Sequence, residues 1–250
     1  GEATVENLSV DWLNGDLLIS SSEGKDIQIV EYSNSGLSTS EQVHWAIQDG
    51  TLFIQDGRGG FGCTSRIWND QRVEVKLPHA LAQGLSIVTI GCASGNVRVS
   101  NLTCAALTTS IASGDVKLEQ VTTSESRLDA ASGKIAATGL DASTLSIALT
   151  SGEITVSGSY QSIDLDVTSG SAIVRSAVAP QQVSVDLTSG DATILIPEGK
   201  GFTAEVDKLS GTFNCSFVTT NTTPHTYVFK DGTAPYRFDI TSGTVNLQKA

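Results

Sequence analysis

The chain has no methionine, only four cysteines, five prolines and 6% aromatic residues. Positive charge is also short, with 15 Lys and Arg against 27 Asp and Glu, a formal net charge of −12. That balance argues against nucleic acid as a partner, because binding it depends on a basic surface that releases counterions. It disfavours an anionic membrane surface for the same reason. No apolar run approaches the roughly 20 residues of a membrane-spanning helix. The opening "GEATVENLSV" shows neither a basic nor an apolar leader segment, and with no Met the chain reads as a processed product. A native N-terminal signal or anchor is expected to have been lost before this point.

Catalytic and metal spacings are missing too. Cys63, Cys92, Cys104 and Cys215 form no CxxC pair, so zinc-site spacing is absent. His44, His79 and His225 stand in separate segments, without HExxH or GxSxG. A nucleophile-base-acid triad has no local signature here. No catalytic, cofactor-binding or metal-ligating residue is assigned on these motifs.

What is abundant is Ser, Thr, Val, Ile and Gly, a composition that favours strands. Ser-Gly recurs with its Ser at 94, 113, 132, 151, 169, 189, 210 and 242. The first six steps between these positions run from 18 to 21 residues and the last is 32. A near-constant period of this length marks a solenoid. Counted from each Ser, apolar residues stand in columns at −4, −2, +3 and +5, such as Leu165, Val167, Ala172 and Val174 around Ser169. Alternation on both sides of the dipeptide predicts two short strands, each with one face inward. Leu102, Val121 and Leu140 begin a third side. The repeat is too short for a packed helix and fits an all-β, single-chain β-solenoid with coils about 4.8 Å apart. Gly at the corner allows a positive φ or a tight bend, and Ser can cap the turn by bonding local backbone.

The pattern extends backward with other spellings. Asn14-Gly15 lies between Trp12 and Leu17, and Asp49-Gly50 between Ile47 and Leu52. Both read as further corners, giving roughly nine or ten coils in a repeat array of this kind. Residues 56–70, "DGRGGFGCTSRIWND", break the period as a Gly-rich loop, and 212–236 insert an excursion before the last corner. The chain therefore divides into N-terminal coils and cap over 1–93, continuous with regular repeats over 94–250, in one domain overall. Elaborated ends are expected because an open solenoid end exposes unpaired strand edges.

The stretches "VEVKLPHALAQGLSIVTIGCASGNVRVSNL" and "SIASGDVKLEQV", with the later Ser-Gly coils, resemble a bacterial β-solenoid family described as putative adhesins. The opening "LSVDWLNGDLLIS" and "HWAIQDGTLFI" are similar to that family's N-terminal part. The resemblance implies an envelope-associated, extracytoplasmic scaffold that is not an enzyme. Together with the missing motifs, the expectation is a chain without a cofactor that binds a protein or glycan ligand at the cell surface. The resemblance transfers no catalytic residue.

Outward columns supply the candidate chemistry. Asp166, Asp186, Asp207 and Asp239 each precede a corner Ser by three, Asp129 shares that column, and Asp164 and Glu205 precede by five. Clustered carboxylates suit a hard cation, so these residues are a candidate cation-binding ladder. A solvated, solubilising face is the plainer alternative, since no EF-hand-type loop completes a cage. Two carboxylates in a groove could instead serve a carbohydrate-active β-helix enzyme. Thr150, Thr168, Thr188 and Thr241 form a hydroxyl column, read mainly as corner packing, with ice or sugar binding as the functional option. Cys92 and Cys215 fall in inward columns about six coils apart, on the order of 29 Å, and are expected as small buried hydrophobes. Cys63 and Cys104 read as loop positions and are the pair to test for oxidation.

Overall fold

The computed structural model describes residues 4–33, 37–39, 41–57 and 71–250. The Ser-Gly periodicity builds stacked rungs: β7 (Leu85–Cys92), β8 (Asn96–Ile111), β9 (Asp115–Ala130), β10 (Lys134–Gly158), β11 (Tyr160–Ser176) and β12 (Gln182–Ile196). Successive strands pair in parallel with residues of one column side by side, as in Val97 with Val116 and Val116 with Ile135. The long strands are bent. Pairing skips Asn101 against Gln120 and Ala105 against Ser124, which divides each coil into three sides. Asn101, Gln120 and Gly139 turn the first of these bends with φ of 56°, 52° and 66°. The expected inward columns are buried and form one core from Leu8 to Leu247, with Phe213 and Cys215 partly buried at its edge. Leu102, Val121 and Leu140 fill the third side.

Close backbone approach is common to the corners, whereas a positive φ is found only at some of them, such as Gly15, Gly190 and Gly243. A Cβ on Gly114 would lie 2.3 Å from Gly95 O, and one on Gly133 would lie 2.2 Å from Gly114 O. Neither glycine has a positive φ. Each corner rests on the corner before it, so no side chain fits between them. The serine also acts between rungs rather than locally. The Ser94, Ser113 and Ser132 hydroxyls donate to Leu13 O, Ala93 O and Ala112 O at 3.0, 3.1 and 2.9 Å.

The rungs depart from chain order at both ends. β1 (Asn7–Trp12) and β2 (Asp16–Ser22) form a rung whose Gly15 precedes Gly95 in the corner stack, as expected. That rung, however, sits between the β7–β8 rung and a later one made of β5 (Thr51–Gln55) and β6 (Arg72–Pro78). The short α1 (His79–Ala82) then leads into β7. β3 (Gln28–Tyr32) and β4 (His44–Gln48) cover the end by pairing antiparallel with β6 and β5.

Asp49-Gly50 is therefore a hairpin turn between β4 and β5, not a solenoid corner. Both residues have positive φ, 48° and 74°, the geometry whose twist matches an antiparallel pair and which Asp-Gly favours. In consequence Trp45, 58% exposed, faces solvent instead of the core. Trp12 packs inward, closing under the first corner with its indole N–H on Gly15 O at 3.0 Å. Most of the Gly-rich segment 56–70, with Cys63 and Trp68, lies outside the described residues.

The C-terminal end repeats this inversion. β13 (Gly201–Lys208) and β14 (Thr212–Cys215) come next in the chain, yet β17 (Ala234–Ile240) and β18 (Thr244–Lys249) stack directly on β12. β13 and β14 then pair outside them. The excursion between forms β15 (Thr220–Thr223) and β16 (Thr226–Lys230), and β16 runs antiparallel along β13. An antiparallel strand needs only a tight turn to reach its neighbour, so each end is covered by local hairpin material.

Candidate ligand-binding site

The C-terminal inversion gathers aromatic residues. Phe202 of β13, Phe229 of β16, Tyr236 of β17 and Phe217 after β14 converge where the third side of the coils ends. Phe202 stacks on Tyr236 at 4.7 Å between ring centroids and meets Phe217 edge-on at 5.2 Å. Phe217 meets Phe229 at 4.9 Å. Such pairs contribute roughly 0.5–1.5 kcal/mol each beyond the area they bury. Tyr236 donates its hydroxyl to Pro180 O at 3.0 Å, and burial pushes its pKa up, so it stays a phenol at neutral pH.

Between these rings and the loops at 177–181 and 197–200 opens a cleft of about 540 Å³. Its apolar wall is made by Ile196, Phe202, Phe217 and Phe229 with Pro180 and Pro197. Gln181, Thr233 and Lys200 are its polar side chains besides the Tyr236 hydroxyl. Lys230 stands nearby over the Phe229 ring and bonds Glu198 and Gly199 O at 3.2 and 3.0 Å. Lys249 takes the other oxygen of Glu198 at 2.7 Å, and the two ammonium groups hold the Glu198 carboxyl below its ordinary pKa. The volume falls in the range of small-molecule sites. The excursion expected over 212–236 supplies Phe217, Phe229 and Thr233 to this wall, but none of these residues was a candidate on the sequence. The available signal was the run of Phe202, Phe213, Phe217, Tyr227, Phe229, Tyr236 and Phe238 in an aromatic-poor chain.

The acidic ladder lies elsewhere, on an exposed strand face. Asp166 pairs beside Asp186, Asp186 beside Asp239, and Asp239 beside Asp207. These four carboxylates thus occupy adjacent rungs, in an order set by the inverted end. Asp129 is separated from Asp166 by Ala148 and bonds Arg127 at 2.9 Å. Asp164 and Glu205 are kept apart by Ser184 and Arg237 in their column. Arg237 pairs with Asp239 at 2.8 Å. Partial burial first, then the like charges of Asp239 and Asp166, raise the Asp186 pKa. Among the described residues no group of three or more His, Cys, Asp or Glu is disposed to hold a metal ion. Glu205 and Arg237 also border a smaller cleft of about 350 Å³ beside Tyr236.

The remaining candidates separate. Thr150, Thr168, Thr188 and Thr241 point outward and are exposed, not packed in the corners. Cys104 is a strand residue of the third side, 6% exposed beside Thr123, not a loop position. Burial raises its thiol pKa. Cys63, its suggested oxidation partner, lies outside the described residues. Cys92 is buried as expected, with its thiol on Gly95 O at 3.2 Å, and Cys215 is partly buried on β14. Among the described residues no helix is long and apolar enough to cross a membrane.

A three-sided β-solenoid with hairpin-covered ends and a cleft at one of them defines the class: an all-β repeat protein. The chain matches the family described as Toastrack DUF4097 over residues 5–248 and belongs to it. No curated protein matches it. Among solved structures it is similar to a putative adhesin from Bacteroides fragilis, at 10% identity and TM-score 0.59, covering 98% of this chain and 92% of that one. A putative lipid binding protein from Parabacteroides distasonis is similar at 14% identity and TM-score 0.58, covering 99% and 93%. These likenesses show the bacterial solenoid fold.

Proposed function

We propose that the protein is a non-enzymatic, envelope-associated binding protein whose solenoid is the scaffold and whose C-terminal cleft is the ligand site. The single observation behind this reading is a separation. Among the described residues the aromatic cleft carries no Asp, Glu or His in its lining, whereas the acidic ladder is spread along an open face. Acid-base hydrolysis of a glycan needs two carboxyls flanking one bound bond, and a cleft without them is suited to holding a ligand rather than cleaving it. The fold neighbours described as a putative adhesin and a putative lipid binding protein are in keeping with a binding role.

The test is an array of envelope glycans and lipids probed with three forms of the chain. One is wild type, one carries Thr233→Trp to fill the cleft from its exposed wall, and one carries Asn at 166, 186, 207 and 239. Binding that disappears with Thr233→Trp and survives the Asn replacements is the expected outcome. Binding that disappears only with the Asn replacements would move the site to the ladder and revive the cation-bridged reading of that face.

A further inference from the structure

The hairpin cover at the C-terminal end stops at β13, and the half-rung it leaves bare is complementary to itself. We propose that two copies of the chain join about a twofold axis through the free edge of β14, the two strands antiparallel and Asn214 at the axis. Three observations converge on this contact, and none depends on what the aromatic cleft binds.

The first is the edge. At the N-terminal end β4 and β3 cover both β5 and β6, and at the C-terminal end β16 covers β13. β14 pairs with β18 alone. Thr212 N and Ser216 N donate to Gly243 O and Leu247 O at 2.8 and 3.0 Å, so by alternation Phe213 and Cys215 turn their N–H and C=O groups outward. Among the described residues these groups have no backbone partner within the chain. The Phe213 and Cys215 side chains, on the core side, are only partly buried where the stack stops.

The second is the lack of any guard on that edge. Free strand edges are ordinarily blunted by charge, Pro or a bulge. β14 reads Thr-Phe-Asn-Cys, and no Asp, Glu, Lys or Arg occurs from Leu209 to Phe229. Leu209 and Val218, on either side of β14, are 84% and 92% exposed, the most exposed large apolar side chains among the described residues. Two copies of net charge −12 repel over most of their surface. An uncharged edge is where they can approach.

The third is register. A twofold contact must match its own surface after a half-turn. With Asn214 opposite the partner's Asn214, Phe213 faces the partner's Cys215, and the two exchange both N–H···O bonds as an antiparallel hydrogen-bonded pair does. The same half-turn brings Leu209 to the end that holds the partner's Val218. Each copy thereby lays a strand along the other's open core edge and covers its exposed apolar side chains.

The experiment is analytical sedimentation of the full chain over a concentration series. Wild type should pass from monomer to dimer as concentration rises. Asn214→Lys sets like charges opposite each other at the axis and should weaken the dimer by about tenfold or more, and Asn214→Asp should do the same. An equimolar mixture of the two variants should recover a dimer, because the axis then pairs opposite charges. Misfolded variants would not recover it. A wild type that stays monomeric at every concentration overturns the proposal and leaves the edge to a strand of another protein. A dimer indifferent to both charges, or variants that remain monomeric when mixed, overturns it as well.

Discussion

The middle of the molecule and its C-terminal end solve the same stacking problem differently. Between Gly95 and Gly190 each rung follows its predecessor in the chain, and glycine rests on glycine at every corner. From Gly201 onward the chain skips a layer, adds a hairpin, and returns to fill the gap with β17 and β18. The middle is specified by backbone contact and small residues, and the end by large rings. The aromatic cleft opens where that regularity fails, while the regular face at Arg98, Lys117 and Lys134 carries a cleft of about 430 Å³ of its own.

The C-terminal end is most sensitive at Phe238, fully buried in the returning strand β17 with its ring 4.8 Å from that of Phe213. Phe238→Ala should cost about 4 kcal/mol, the range for emptying an aromatic site in a core. Amide exchange should accelerate across 201–249 while 96–176 keep their protection. Uniform acceleration would show that the end is not a separate cooperative unit. Gly133→Ala attacks the other region, where the new methyl would meet Gly114 O and the end of Ile111. A loss of about 3 kcal/mol in urea unfolding is expected, since backbone cannot yield as a flexible side chain does. Ser132→Ala removes the bond to Ala112 O and should cost about 1 kcal/mol. A neutral result would mean that water replaces it.

The smallest effect concerns the ladder that crosses from one region into the other. The Asp186 pKa is raised in the folded state, so its ionised form opposes folding at neutral pH. The penalty fades as pH falls through the raised value, where the folded state takes up the proton. Asp186→Asn should therefore stabilise the protein by a few tenths of a kcal/mol at pH 7, because the carboxyl is exposed and screened. The gain should shrink toward pH 3 and in high salt. A gain independent of pH would point to a cause other than charge.

The regular rungs were legible because a column demands the same residue type every coil. Val97, Val116 and Ile135 name both an inward face and a register. The reason for the glycines was less visible, since a spacing cannot tell a positive φ from a backbone touching its neighbour. Asp49-Gly50 misled by being an equally good corner and hairpin dipeptide, and the antiparallel partner decided between them. Layer order was hidden too. Ser210 and Ser242 both begin acceptable corners, and only the pairing of Val185 with Phe238 rather than with Val206 reveals which one stacks on Ser189. The cleft was missed because Phe217, Phe229 and Thr233 belong to the excursion, where a period carries no information, while Phe202 and Tyr236 read as ordinary strand residues.

The inverted ends also bear on mechanical load. β1 is clasped between β5 and β7, and β18 between β12 and β14. A pull entering through the first strand, or leaving through the last, must shear two parallel ladders at once. The outermost layers, β3 with β4 and β15 with β16, lie off that line of force. A load applied between the two ends of the chain would therefore pass through its best-clasped strands.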